Sequence, residues 1–342
     1  MIKIVNKVEE NKWKKLLDTY DKATIYHTPE WKKTLEGTFG YKAHYFFAID
    51  ECGELVGLLP LFYVRSQITG SRICSVPFAH NCGPIGDEAT VSFLAGKAID
   101  LYKDLNADYF EVKDKVGFDN FEYQNAFSTY ILELSPDLGI MWKKLDSGSA
   151  RWGVKKSHKE GVSVSKTQSI EDLKEFYELN CITKKKIGVP CHPWKFFKNL
   201  FKFLDSYVSL YVARYNDKII AGGIMEYFKK TVLYGYGAAD PKYLKMQPYN
   251  AFIWKSIEDA CLNGYKYYDF GRTSYDNVGL INFKKRWGTA EKKLYYSYYP
   301  KNPVSLTENR ENLKYKWGTK VIQRMPMPIY KKFSDVVFGS FG

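Results

Sequence analysis

The sequence predicts a two-domain α/β protein in which layers of helix and sheet are built from a duplicated unit. Three observations carry this expectation. The chain has 342 residues, too many for one ordinary core and comfortable for two. Its 45% hydrophobic and 26% charged content is that of a folded soluble protein. It also contains an internal repeat. Residues 27–59 lie over residues 192–224 without a gap, with His27 on His192, Phe46 on Tyr211, Ala48 on Ala213, Leu55 on Ile220, Gly57 on Gly222 and Leu59 on Ile224. The match resumes further on with a slightly shorter spacing: Ile99 on Ile257, Tyr109 on Tyr267, Phe110 on Tyr268 and Glu111 on Asp269. Two collinear matches favour duplication over chance similarity of generic α/β segments.

The elements can be read in order. Trp13, Leu16, Leu17 and Tyr20 make a first amphipathic helix. Thr28-Pro29 starts a second, with a capping hydroxyl and a proline in the first turn. Two strands follow around a polar turn at 50–53. Leu94, Ala98, Leu101, Tyr102 and Leu105 fall on one helical face, and a strand at 109–111 succeeds them. Residues 145–160, LDSGSARWGVKKSHKE, are polar and read as a domain junction with its own basic cluster. Ser169 caps a helix whose inner face is Leu173, Phe176, Tyr177 and Asn180. The second copy repeats helix, strand, turn at 216–218 and strand. Trp254, Ile257 and Cys261 form another helical face that stops at Asn263-Gly264.

The stretch 267–288, YYDFGRTSYDNVGLINFKKRWG, is the most informative in the chain. An aromatic strand breaks at Gly271 and presents Arg272. A polar loop then delivers Phe283, Lys284, Lys285, Arg286 and Trp287 together. Arg offers a planar fork to phosphate or carboxylate, and the pKa of a Lys can be tuned. The cluster suits an anionic ligand; a basic surface hairpin is the plainer alternative.

Composition narrows the partners. Net charge is +13, from 51 basic and 38 acidic residues, which favours nucleic acid, a nucleotide-linked substrate or an anionic membrane. The 17% aromatic share, with 28 Tyr, suits a groove for sugars or bases, or simply strand packing. Six scattered Cys form no C-x-x-C pair, so neither zinc nor a disulfide framework is indicated, and a reducing cytoplasm is expected. The N-terminus lacks the apolar core of a signal peptide, and no run is long enough to span a bilayer. There is no G-x-S-x-G elbow, Walker loop, H-E-x-x-H or G-x-G-x-x-G. With five His, a His-based metal site is not expected, and His27 and His192 read as structural.

The order of motifs resembles the FemABX-type aminoacyltransferases, which are two fused acyltransferase domains of the GNAT fold. The matching stretches are HTPEW, ELVGLLPLF, RWGVKKSHKEGV, LYGYGAAD followed by PYNAFIWKSIEDA, YYDFGR, NFKKRWG and the tail MPMPIYKKFSDVVFG. The resemblance implies two tandem GNAT-like domains, each a mixed, mostly antiparallel sheet flanked by helices. The first would span 1–140, with 305–342 packing back on it, and the second, 141–304, would carry the site. It implies transfer of an aminoacyl group from aminoacyl-tRNA to a primary amine of a peptidoglycan-type envelope precursor, nucleotide- or lipid-linked, without a cofactor or a covalent intermediate. The family's essential lysine falls on Lys284, which would stabilise the oxyanion. Asp269 would orient Arg272 or accept the amine's proton, with a structural Asp–Arg pair as the alternative. Phe283 and Trp287 would stack on the donor's adenosine or anchor the loop. Lys33, Arg151, Lys155 and Lys156 would grip a pyrophosphate, with Trp31 near Lys33 a further substrate-binding candidate, and Tyr236 would line the acceptor groove. Asn250, in the PYNAFIW stretch, joins the substrate-binding candidates.

Two departures keep other readings open. The helical arm by which some members reach tRNA is absent. Where acetyl-CoA-dependent GNAT enzymes place a Gly-rich pyrophosphate loop, this chain reads YLKMQPYNA. An acyl-CoA donor acting on an amino sugar or peptide is the first alternative, and a non-catalytic binder of nucleic acid or anionic polymer the second. Residues 324–341 mix cations with Met, Ile, Val and Phe, so peripheral contact with an anionic membrane is a further expectation.

Overall fold

The protein is described by a computed structural model covering residues 2–66, 70–118, 120–300 and 313–341. Its described residues form two compact units. One lies within Met1–Ala126, Leu294–Asn309 and Gly339–Gly342; the other lies within Phe127–Lys293 and Arg310–Phe338.

The first unit begins with β1 (Lys3–Val5), α1 (Glu10–Thr19) and α2 (Pro29–Phe39). Thr28 Oγ1 accepts from Trp31 N at 3.2 Å, so the expected cap is present, with Pro29 at the first helical position. Then come β2 (Lys42–Ile49), β3 (Leu55–Ser66), β4 (Gly70–Cys74), α3 (Glu88–Asp104) and β5 (Tyr109–Val112). β1, β2, β3 and β4 pair antiparallel in that order. β4 then pairs parallel with β5, as a helical crossover requires. Leu59, Leu61, Ile73, Leu94, Ala98 and Phe110 make the core.

The second unit takes in part of β6 (Glu122–Glu133), followed by α4 (Leu138–Lys144), a wide helical turn at Ser147–Arg151 and α5 (Trp152–Lys159). β7 (Ser163–Thr167), α6 (Ile170–Ile187), α7 (Trp194–Phe203), β8 (Val208–Tyr215), β9 (Lys218–Phe228), β10 (Thr231–Ala239), α8 (Pro248–Leu262) and β11 (Tyr267–Asp269) follow. β7, β8, β9 and β10 pair antiparallel and β10 pairs parallel with β11. This is the topology of the first unit, step for step, so the duplication read from the repeat is present in the fold. Gly264, at φ +78, takes the left-handed turn that ends α8. β12 (Thr273–Ser274) pairs with β6, and α9 (Val278–Lys285) and β13 (Ala290–Tyr299) complete the sequence to Tyr299.

The observed boundaries differ from 1–140 and 141–304. The first unit also takes β13 from Leu294 onward, whose Ser297–Tyr299 pair with β5. The C-terminal segment differs more. Residues 305–312 lie outside the described residues. Beyond them, α10 (Leu313–Arg324) and α11 (Met327–Val337) belong to the second unit, not the first. Polar contacts to α6 and the turn after it hold them there: Lys331 Nζ to Glu178 at 2.6 Å, Gln323 Nε2 to Lys186 O at 3.0 Å and Tyr330 OH to Val189 O at 2.8 Å. Only the last residues, from Gly339, go with the first unit, where Gly339 O accepts from Tyr41 OH. No described helix is long and apolar enough to cross a membrane.

Candidate functional site

In the second unit the parallel pairing of β10 with β11 ends at Leu233–Asp269. β10 bulges immediately afterwards, between Tyr234 and Tyr236. β11 stops because Gly271 turns at φ +72, a conformation costly for any residue with a Cβ. Strand separation at this point exposes backbone and side chains that a continued ladder would cover.

Three predicted residues converge here. Lys284, near the end of α9, is only 3% exposed, and its Nζ donates to Gly271 O at 2.6 Å and, at longer range, to Arg272 O. The ammonium also lies 5.9 Å from the Tyr130 ring centroid. Burial lowers its pKa to about 8, against a smaller opposing pull from Asp269. Asp269 is itself buried, and its Oδ1 accepts from Thr129 Oγ1 and from Gly271 N. The carboxylate therefore braces the Gly271 turn that presents the Lys284 acceptor, rather than standing ready for a substrate proton. Arg272 points outward, with its guanidinium 4.5 Å from the Phe127 ring centroid.

A cavity of about 490 Å³ lies beside this cluster in the chain, on the α8 side. Phe283, Arg286, Trp287, Asn250, Tyr249 and Trp152 are among its lining residues. Trp287 is 1% exposed and packs on Phe270 at 5.9 Å between centroids, so it anchors the wall and offers no face for stacking. Phe283 is half-buried, while Lys285 and Arg286 are exposed. Asn250 is committed to Ala150 O at 3.3 Å, which ties α8 to the turn carrying Arg151. Arg151 is partly buried and its Nε has no partner; Lys155 is exposed, and Lys156 sits 5.2 Å over the Trp152 ring. The junction cluster thus borders the cavity through Trp152.

Tyr236 sits apart from this group. It follows the bulge and packs edge-on against His192 at 4.9 Å, facing α7. The first unit holds the other two candidates, Trp31 and Lys33. Trp31 is 0% exposed and T-stacked on Tyr26 at 4.7 Å, so it is core and cannot touch a pyrophosphate. Lys33 is exposed and ion-paired with Glu10 at 2.6 Å.

A buried acid that sequence reasoning missed is Glu226, near the end of β9. It is 2% exposed, its Oε2 has no partner, and burial pushes its pKa up to about 8. A signal was present: it is the one acid in the otherwise apolar strand KIIAGGIMEYF.

The N-terminus of α8 bears on the donor. A short 3₁₀ helix, Pro241–Met246, precedes it, Gln247 is left-handed at φ 58, and Pro248 has no N–H. The N–H of Asn250 is already given to Gln247 O at 3.0 Å. Two of the first three helical positions therefore offer no free donor to an anion.

Known proteins agree with this architecture. Residues 150–285 match the acetyltransferase (GNAT) domain family. No curated protein matches in sequence. Among solved structures, FemX is similar with a TM-score of 0.70 and 15% identity, over 86% of this chain and 96% of that one. The L-PGS of Bacillus licheniformis is similar at 0.56 and 13%, over 93% and 97%. A tandem GNAT protein from the clavulanic acid biosynthesis pathway is similar at 0.52 and 9%, over 87% and 98%. Residues 150–285 thus carry the match to a GNAT acetyltransferase domain, and the chain has the fold seen in FemX and in the tandem GNAT protein.

Proposed function

We propose that the protein transfers an aminoacyl group from the ester of aminoacyl-tRNA to a primary amine on a nucleotide- or lipid-linked cell-envelope precursor. The observation that carries the reading is Lys284: a buried ammonium, softened to a pKa of about 8, fixed on a main-chain carbonyl where two strands part. The amine attacks the ester carbonyl, a C–N bond forms, and negative charge gathers on the carbonyl oxygen. A preorganised cation in a poorly hydrated site stabilises that charge far better than one in water. When the ester C–O bond breaks, the same ammonium is acidic enough to protonate the leaving oxygen. Asp269 and Thr129 are positioning residues that fix the Gly271 turn.

The exposed Arg272, Lys285 and Arg286 and the half-buried Phe283 suit the anionic, base-bearing end of the donor. Arg151, Lys155 and Lys156 suit a pyrophosphate on the acceptor. An ester donor is favoured over acyl-CoA because the start of α8 has so few free N–H groups for a CoA pyrophosphate. The match of residues 150–285 to an acetyltransferase family favours acyl-CoA as the second reading.

The test is transfer of radiolabel from a mixture of aminoacyl-tRNAs, or from acyl-CoAs, to an extract of envelope precursors. Lys284→Met is expected to abolish transfer while leaving thermal unfolding unchanged or improved. Full activity in that variant would refute the assignment, and transfer from acyl-CoA alone would replace the first reading with the second.

A further inference from the structure

We propose that the end of α6, together with α10 and α11, forms a docking surface for an anionic lipid bilayer. The docking stands by itself. Joined to the acyl-transfer reading above, on which only this further step rests, it selects the lipid-linked acceptor over the nucleotide-linked one.

The surface is assembled from segments far apart in the chain. α6 ends at Gly188, whose φ of +87 turns the chain and whose bare Cα leaves room for Thr319 of α10, where a Cβ would collide. The Gln323 side chain donates to Lys186 O at 3.0 Å, and Lys185 Nζ donates to Gln323 O at 2.6 Å. Thr319 and Gln323 therefore face α6, and Ile322 beside them is buried. The helical repeat turns Lys320, Val321 and Arg324 outward, and all three are exposed. α11 is oriented in the same way. Tyr330 and Ser334 are buried one turn apart, with Tyr330 OH on Val189 O at 2.8 Å and Ser334 Oγ accepting from Cys191 N at 3.2 Å. Ile329, Lys332 and Val336 occupy the opposite side and are exposed. Both helices rest on α6 and the turn after it, so their outward faces look away from one support.

What those faces carry decides the partner. Ile187, Val321, Ile329 and Val336 are each more than half exposed. Over residues 185–187, 320–324 and 329–336 the charged side chains are Lys185, Lys186, Lys320, Arg324, Lys331 and Lys332, against Asp335 alone. α6 and α10 each end in cations, where the helix dipole favours them, so the cluster is tolerated without an equal number of acids. Aliphatic side chains standing among cations suit a bilayer surface: the cations meet headgroup phosphates, and the aliphatics enter the boundary of the acyl chains. An RNA backbone would use the cations and leave the aliphatics in water, and none of the four is planar enough to stack on a base. The core of a protein interface is depleted in lysine. None of the residues lining the cavity beside α8 belongs to α6, α10 or α11, so docking takes no residue from the candidate site.

The experiment is sedimentation of the full chain with vesicles of phosphatidylcholine alone or of equal parts phosphatidylcholine and phosphatidylglycerol, at physiological and at high salt. The wild type is expected to sediment with the anionic vesicles only, and less at high salt. Each neutralised cation should lower the partition coefficient about fivefold, so Lys186→Gln/Lys320→Gln/Arg324→Gln should lower it about 100-fold. Ile187→Ser/Val321→Ser/Ile329→Ser, which changes no charge, should lower it at least about tenfold. All six positions are exposed, so thermal unfolding should be unchanged in both variants. Lys12→Gln/Lys15→Gln/Lys103→Gln removes the same charge from exposed sites in the first unit and should bind like the wild type. No sedimentation with anionic vesicles would overturn the proposal. Equal losses in the two glutamine variants would reduce the effect to net charge and overturn it as well. Full binding by the serine variant, with protein stripped from vesicles by added tRNA, would reassign the surface to nucleic acid. Because the readout is sedimentation, each of these outcomes leaves the assignment of Lys284 intact, and failure of acyl transfer leaves the docking intact.

Discussion

The two units share one topology but treat equivalent positions differently. Where the second unit has Glu226, paired with Val208, the sheet register places Phe62 in the first, paired with Ala43, and Phe62 is fully buried core. Where the second has His192 with an unused Nδ1, the first has His27, whose Nδ1 meets Thr24 and whose Nε2 meets Gly83 O at 2.9 Å. Both units bury a lysine at the end of their parallel strand pair. In the first, Lys113 Nζ lies 3.7 Å from Glu111 and donates to Val76 O at 2.9 Å. In the second, Lys284 is held by carbonyls and retains a depressed pKa. At these positions the first unit is apolar or paired, while the second keeps a carboxyl oxygen and an imidazole nitrogen without partners, which costs stability.

The sharpest way to break this contrast is to remove both lysines. Lys284→Met should reduce transfer at least about 1000-fold, the scale expected when an oxyanion's partner is lost. Lys113→Met should instead destabilise the protein by about 2–3 kcal/mol, because it takes a cation from the buried Glu111. Its activity per folded molecule should be unchanged. A folded Lys113→Met protein without activity would show that the first unit is more than scaffold.

Next in size is a stability effect whose sign depends on pH. The Glu226 pKa is raised from 4.5 to about 8 on folding. Such a group stabilises the folded state fully below its unfolded pKa, and this contribution is lost as the pH rises through the folded value. Chemical denaturation of the wild type and Glu226→Gln across pH 4.5–8 should therefore show the wild type losing on the order of 3 kcal/mol relative to the variant. Phe62→Ala, at the equivalent position, should cost about 3–5 kcal/mol at every pH. A pH-independent difference for Glu226→Gln would mean that its carboxyl is hydrated or paired.

The rate profile sharpens the same point. Lys284 must be protonated to face an oxyanion, and its pKa is lowered from 10.5 to about 8, so transfer should fall as the pH rises through that value. In kcat/KM this gives an alkaline fall with its midpoint near 8. Lys284→Arg should extend the alkaline limb, since a guanidinium keeps its charge, even at reduced rate. A plateau through that pH would separate Lys284 from the chemistry.

Much of this was legible in the sequence, for identifiable reasons. The repeat is gap-free over a helix and two strands, so it forecast matching topology. Ser169 and Thr28 each announce a helix start by a local hydrogen bond that needs no tertiary context. Gly271 and the residues around Lys284 lie close together in the chain, so the centre of the candidate site could be read locally. Glu226 could not. Its burial without a partner arises from the packing of other elements around it, which is not written near residue 226. The placement of α10 and α11 likewise depends on long-range partners such as Glu178 and Val189.

Trp31 offers the smallest and cleanest test. The repeat lays it on Phe196, and both are 0% exposed, so the equivalence already assigns it to the core. The difference lies in one atom: the Trp31 Nε1 donor has no partner. Trp31→Phe would copy the second unit's solution into the first, removing an unsatisfied donor and leaving a modest void. The two terms oppose each other, a lost methylene-scale packing contribution against relief of a buried polar group, and the net change should stay below about 1.5 kcal/mol. The KM for acceptor should not move, because a side chain with no exposed surface cannot grip a pyrophosphate. A severalfold rise in KM with unchanged stability would return Trp31 to the binding surface.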